Sequence, residues 1–329
     1  MGHDDGFGDD GIIDAELVGE GPSDAASAPH RALDAEAQEF VREAAAYLER
    51  PGFLIRASNT IGKPAEALLR RLPGPAGKLV DRATEAALRR AMEMALVRLP
   101  RRGPIDPNAP IRELVAATFH RGSAHTMAVG AAGFAGGMWG AAALPLELPA
   151  TTIVMLRAIA DIAAQMGVDL DDPAERLACV AVFAMGDGRR GDEAADVAGH
   201  QTSYYASRVG LQRGLQTVAR WAASSSADEV AKAVLRGKGG MVGELLAKLV
   251  PRFGTVVGQK TALQLLPVIG AATAAGMNVA FLDHYHQVAR YHFGLRLLEK
   301  RHGHDAVRLA FEDAARALPP PGDKPWSKP

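Results

Sequence analysis

Two long stretches without a charged side chain constrain this 329-residue chain more than any other feature. Residues 126–146 and 261–282 span 21 and 22 residues, and about 20 apolar residues suffice to cross a bilayer. The first stretch is largely Gly and Ala, which add little insertion energy, and the second carries Gln264, Pro267 and Asn278. Three interpretations therefore stay open: buried helices of a soluble bundle, reversible contact with a membrane or an apolar ligand, and a transmembrane hairpin.

Glycines in and near both stretches recur at a spacing of four residues, which lets helix backbones approach closely. We therefore expect these glycines and two nearby phenylalanines to pack helices together or to contact a membrane. The residues are Gly133, Phe134, Gly136, Gly137, Gly140, Gly254, Gly258, Gly270 and Phe281.

The rest of the chain predicts an all-α, multi-helix bundle with Gly/Ala-rich central helices. Apolar residues make up 48% of the chain but aromatic residues only 5%, and no run alternates as a half-buried strand does. Asp172-Pro173 with Glu175, and Ser226 with Glu229, have the spacing of helix N-terminal capping boxes. The predicted helices are 34–50, 64–72, 75–99, 110–140, 147–166, from Asp172 to near Gly186, 201–222, from Ser226 to near Gly237, 241–278, and from Asp283 to a left-handed cap at Gly303.

Both ends of the chain have the composition of disordered tails. Residues 1–33 are acidic, with eight acids and no Lys or Arg before residue 31, and residues 319–329 are rich in proline. The helical domain is predicted over 34–318. Beyond residue 30 the chain has 37 basic against 30 acidic residues, a formal charge of +7. A single cysteine, Cys179, excludes an internal disulfide, and without a secretory signal we expect a cytoplasmic protein.

Five polar residues near the ends of the apolar stretches form the predicted polar cluster: Arg157, Asp161, Asp283, His284 and His292. Arg157 and Asp161 are four residues apart on one predicted helix and would meet Asp283 and His284 if the two segments pack side by side. Imidazoles and carboxylates are metal ligands or acid–base groups. The tight pair of histidines at i and i+4 is absent, so no metal and no other cofactor is predicted.

Several separated blocks resemble the EcsC family. Residues 144–163 resemble its most characteristic block and 248–293 its C-terminal half, while 62–73 and the loop ending in Ser203-Tyr204-Tyr205 also match. The resemblance runs collinearly over roughly residues 40–303. It implies a genomic association, because the family takes its name from a protein encoded beside the ATPase and membrane subunit of an ABC exporter. It implies no reaction, since no catalytic group is established for the family.

We therefore expect an accessory protein that associates peripherally with a membrane or binds a lipid or other hydrophobic ligand. Its partner would be anionic membrane lipid, or an integral-membrane, transporter-type protein, at the inner face of the cell membrane. Nucleic acid is not expected, because the basic residues occur as scattered pairs without interleaved aromatics. The alternative is a hydrolase or peptidase that uses His284, His292 and Asp161 or Asp283, with or without a metal.

Overall fold

A computed structural model of the chain describes residues 32–49, 74–99, 108–119, 144–185, 202–237, 239–264 and 271–318. Ten helices lie in these ranges: α1 (Ala35–Leu48), α2 (Gly74–Glu93), α3 (111–119), α4 (Leu144–Gln165), α5 (Pro173–Ala181), α6 (Ser203–Ala223), α7 (Ala227–Arg236), α8 (Gly240–Gln264), α9 (Ala271–His302) and α10 (His304–Arg316). A π-helical turn, Met94–Arg98, continues α2, and a 3₁₀ turn, Val182–Ala184, continues α5. The described residues contain no strand, which confirms the predicted all-α class.

Local capping chemistry begins two helices where the sequence predicts. The Asp172 carboxylate accepts from the Ala174 N–H at 2.8 Å ahead of α5. Ser226 and Glu229 form a reciprocal capping box at the start of α7. Glu175 does not complete a capping box as its spacing suggested, because its carboxylate binds both terminal nitrogens of Arg296 at 2.6 and 2.7 Å. A bidentate pair with a guanidinium is stronger than a return bond to a backbone N–H.

The predicted helix boundaries fail in the second apolar stretch. The prediction of one helix over 241–278 and another from Asp283 is wrong, because α8 ends at Gln264 and α9 runs unbroken from Ala271 to His302. Asn278 and Asp283 are both residues that can cap a helix, but here they lie inside α9, which continues through the apolar residues 279–282. Elsewhere α4 begins at Leu144, three residues before the predicted start, since Pro145 fits a first turn.

Several predictions fall outside the described residues. They are the helix over 64–72, the part of the 110–140 helix beyond 119, the tail over 319–329, nearly all of the tail over 1–33, and the residues Gly133, Phe134, Gly136, Gly137, Gly140 and Gly270.

The helix α9 occupies the centre of the described helices. It packs against α1, α4 and α10, while α2 packs against α4, α7 and α8. Between residues 278 and 302, buried positions face every side of α9, as in a helix enclosed by protein rather than one with a solvent face. Four aromatic rings pack between α5, α8 and α9, with neighbouring centroids 4.9–6.2 Å apart: Phe183, Phe253, Phe281 and Tyr285.

Two glycines permit the packing of α9. Gly303, between α9 and α10, has φ 92°, a backbone conformation that favours glycine and agrees with the predicted cap. Gly294 lies against Phe40 of α1, and a Cβ built there would overlap the ring of Phe40. By contrast, Gly254 of α8 faces Thr84 of α2 with room for an ordinary contact, so the two helices meet there without requiring glycine.

Among the described helices, none combines the length and the hydropathy that a membrane span needs. Phe281, predicted to pack helices or to contact a membrane, is fully buried in the aromatic group.

Candidate functional site

The five residues of the predicted polar cluster lie in different surroundings. Arg157 and Asp283 are exposed, Asp161 is half-buried, and His284 and His292 are buried. The helices that carry them, α4 and α9, do pack against each other. Each histidine, however, hydrogen-bonds to a tyrosine on a different helix. The cluster as a single unit therefore stays a prediction.

His284 is held by Tyr47 of α1. The Tyr47 hydroxyl lies 3.1 Å from His284 Nδ1 and donates to the His284 carbonyl at 3.4 Å. The two rings stack with centroids 6.0 Å apart. His284 therefore contributes to the α1–α9 contact.

His292 is held by Tyr204 of α6. Its Nδ1 lies 2.9 Å from the Tyr204 hydroxyl, and both side chains are buried. Burial, together with the cations Arg208 and Arg296, holds the pKa of His292 well below its ordinary value of 6.5. Burial also raises the pKa of Tyr204 to about 12. At neutral pH this pair is therefore an uncharged imidazole beside an uncharged phenol.

Every residue of the Ser203-Tyr204-Tyr205 motif hydrogen-bonds to a side chain outside α6. The Glu49 carboxylate, at the end of α1, accepts from the Ser203 N–H at 3.1 Å, the Ser203 hydroxyl at 3.0 Å and the Tyr204 N–H at 2.9 Å. It thereby caps α6 from another helix, where a negative charge is favourable against the helix dipole. Tyr205 donates to Glu299 at 2.9 Å.

The Arg208 guanidinium also binds Glu299 and donates to both carboxylate oxygens of Glu299, at 2.6 and 2.9 Å. The Arg208 guanidinium lies over the rings of Tyr204 and Tyr205, 5.6 and 5.2 Å from their centroids. Burial and the Glu299 charge raise the pKa of Tyr205. These contacts fasten α6 to the end of α9.

A second polar cluster lies between the two uncharged stretches. Lys260 of α8 has no exposed surface, and its ammonium group binds Glu147 of α4 at 2.9 Å. Asn278 of α9, also fully buried, donates to the same Glu147 oxygen at 2.9 Å. Burial lowers the pKa of Lys260 despite the opposing effect of Glu147. We call Glu147, Lys260 and Asn278 the buried ion-pair cluster.

A simple signal could have identified this cluster. Glu147 is the only charged residue between 122 and 156, and Lys260 the only one between 253 and 282. Lone opposite charges in apolar surroundings must pair if they are buried, because an unpaired buried charge is costly. The two charges directly flank the uncharged stretches, Glu147 after residue 146 and Lys260 before residue 261, so the charge-free residues alone do not reveal the pair.

Large apolar side chains are exposed on both sides of the first stretch. Leu146 is 83% exposed, although Leu144 and Leu148 on the same helix are buried. Phe119, at the end of α3, is 51% exposed. The described helices therefore present apolar surface on each side of residues 120–143.

No group of three or more His, Cys, Asp or Glu side chains is placed to hold a metal ion in the part of the chain that the structure describes. Cys179 is buried, and burial raises the pKa of its thiol, so it is a core residue and not a nucleophile.

Comparison with known families decides the assignment. Residues 52–298, three quarters of the chain, match the EcsC protein family. The chain belongs to this family. The matched EcsC region contains the buried ion-pair cluster, the Ser203-Tyr204-Tyr205 motif and His292, but ends before Glu299. No curated protein and no solved structure matches the chain significantly, so EcsC membership is what the comparisons establish.

Proposed function

We propose that this EcsC protein is an accessory protein that binds reversibly to the surface of an anionic membrane through the region around residues 119–146. The exposure of Leu146 carries the proposal. An 83% exposed leucine ends a stretch of 21 residues without charge, and the next side chain, Glu147, turns inward to Lys260. An exposed apolar side chain that continues an uncharged stretch is the kind of surface that a membrane contact would use.

The charge of the chain supports the same interpretation. Residues 31–329 carry a formal charge of +7, and each cation close to an anionic bilayer contributes about 1 kcal/mol of attraction. Apolar contact at Leu146 and this attraction are two weak signals that act together, as stable peripheral binding requires. The inner face of the cell membrane, where anionic lipid is concentrated, is the proposed location.

Flotation with vesicles tests the proposal. The protein is mixed with neutral or anionic vesicles at low and at high salt, and we expect flotation that needs anionic lipid and weakens with salt. Leu146→Asp should reduce partitioning at least tenfold, because an aspartate at a bilayer is several kcal/mol less favourable than a leucine.

Leu309→Asp is the matched control. Leu309 of α10 is 51% exposed and lies far along the chain from the uncharged stretch, so this variant should float as the wild type does. Equal loss of flotation in both variants, or no flotation of the wild type with any lipid, would contradict the proposal. Phe281 is unsuitable for this test, because its substitution would disrupt the core.

A further inference from the structure

Arg290 of α9 is a buried cation to which no carboxylate of the described residues is bonded. It is 3% exposed, and its Nε donates to the Thr118 hydroxyl of α3 at 2.7 Å. Its Nη1 is buried and has no hydrogen-bond partner among the described residues. Burial lowers the pKa of Arg290, with Asp283, Tyr291 and Tyr47 acting in the opposite direction, yet a guanidinium stays charged at neutral pH.

Two other arginines in the same bundle show how this chain usually satisfies such a group. Arg208 and Arg296 each bind both oxygens of a glutamate, Glu299 and Glu175. Arg290 is the most buried of the three, but no carboxylate of the described residues lies within ion-pair distance of it. A buried cation without a bonded anion is unfavourable, so the binding of an external anion there is favourable.

The ring of Phe119 covers this guanidinium, with its centroid 3.7 Å from the central carbon. A cation–π contact occupies the face of a guanidinium and uses none of the N–H hydrogens in its plane, so those of Nη1 stay buried and without a partner among the described residues. Phe119 is 51% exposed, so its ring does not fill a core position. It therefore combines apolar surface for a bilayer with access to a buried cation.

We propose that Arg290 anchors a site for a phosphate group, supplied by a lipid headgroup or by phosphate free in solution, that enters beneath Phe119. A guanidinium fork matches phosphate and carboxylate equally well. The choice of phosphate rests on the proposed membrane function, because phosphate is the charged group of anionic lipids.

Thermal unfolding with inorganic phosphate tests the site. Phosphate should raise the Tm of the wild type above that in chloride or acetate of equal ionic strength, in a saturable way. Arg290→Met should bind phosphate at least tenfold more weakly. Arg296→Met, the same change on the same helix, should keep the wild-type affinity because its guanidinium is already bound to Glu175.

If Arg290→Met does not fold, Arg290→Lys keeps the buried cation and removes the planar fork, and the same loss of affinity is expected. Equal phosphate affinity in the wild type and the Arg290 variants would overturn the proposal. So would equal stabilisation of the wild type by phosphate and acetate.

Flotation on phosphatidic acid vesicles distinguishes the two sources of phosphate. A headgroup site predicts that Arg290→Met floats at least tenfold less well and that inorganic phosphate competes with the vesicles. A site for free phosphate predicts Arg290-dependent phosphate binding with unchanged flotation. Phosphate binding through Arg290 without any flotation would refute the membrane function alone, and Leu146-dependent flotation without phosphate binding would refute the site alone.

Discussion

Removing one member of the Lys260–Glu147 pair should destabilise the protein strongly, whereas removing both should not. Lys260 has no exposed surface and the Glu147 side chain is 7% exposed, so removing either side chain leaves the other as an unpaired buried charge. The expected cost of Lys260→Met or of Glu147→Leu is about 3–5 kcal/mol. The double variant leaves no charge behind and loses only the hydrogen bond that Asn278 donates to Glu147, at a cost of about 1–3 kcal/mol. The two single losses add up to at least about 6 kcal/mol, so the coupling energy should be at least about 3 kcal/mol.

Urea unfolding of the four proteins measures this coupling. The exposed pair Arg42–Glu39, 2.6 Å apart on α1, is the control. Its coupling should not exceed about 1 kcal/mol, because water screens it. Additive losses for Lys260 and Glu147 would refute the argument that the two charges depend on each other.

The pH dependence of stability provides an independent check on Lys260. Burial lowers its folded-state pKa, while the unfolded lysine titrates near 10.5. Between these two pKa values the unfolded chain binds more protons, so this residue makes stability rise with pH, by at most about 1.4 kcal/mol per pH unit. The difference in unfolding free energy between the wild type and Lys260→Met should rise with pH in this range. A difference that does not change with pH would mean that burial does not lower the pKa of Lys260.

Three further perturbations have defined outcomes. Gly294→Ala should destabilise by about 1–3 kcal/mol through overlap with Phe40, and Phe40→Leu should remove that penalty when urea unfolding compares the four proteins. The pKa of His292 is lowered on folding, so acidification from pH 6.5 to 5.5 should destabilise the wild type by up to about 1.4 kcal/mol more than it destabilises His292→Leu. Parallel pH profiles of the unfolding free energy in the two proteins would contradict this. Glu49→Ala should cost about 2 kcal/mol in the same assay and Ser203→Ala at most about 1, because Glu49 accepts three hydrogen bonds; equal costs would argue against the cap.

Features set by local chemistry were predictable from the sequence. The all-α class, the caps at Asp172 and Ser226 and the glycine at 303 depend on residues a few positions apart, and the structure confirms them. Contacts between distant segments were not predictable in this way. Glu175 shows the difference. A local pattern suggested a capping box, but its carboxylate binds the guanidinium of Arg296, 121 residues away in the sequence.

The boundary between α8 and α9 did have a local signal. Pro267 stands three residues beyond Gln264, where a proline often follows a helix end, and the prediction of one helix over 241–278 ran through it. The Gly294–Phe40 contact had no such signal, since a glycine inside a helix ordinarily indicates a weak point of the helix and not close packing.

The polar residues of α9 follow a spacing that explains its central position. Asn278, His284, Arg290 and Arg296 recur every six residues, and six residues rotate a helix by 600°, so successive side chains point about 120° apart. Their partners lie on four different helices: Glu147 on α4, Tyr47 on α1, Thr118 on α3 and Glu175 on α5.

This arrangement also fixes how α9 is turned. Rotating α9 would break hydrogen bonds on all of its sides together, whereas an amphipathic helix would lose contacts along one face only. Asn278 and Arg296, 18 residues apart, return to the same direction and meet helices consecutive in the chain, α4 and α5. Of these four side chains, Arg290 alone carries a full charge opposite a neutral partner, Thr118. Among the described residues, one side of the central helix therefore carries a buried cation without a bonded carboxylate, which an anion from outside can neutralise.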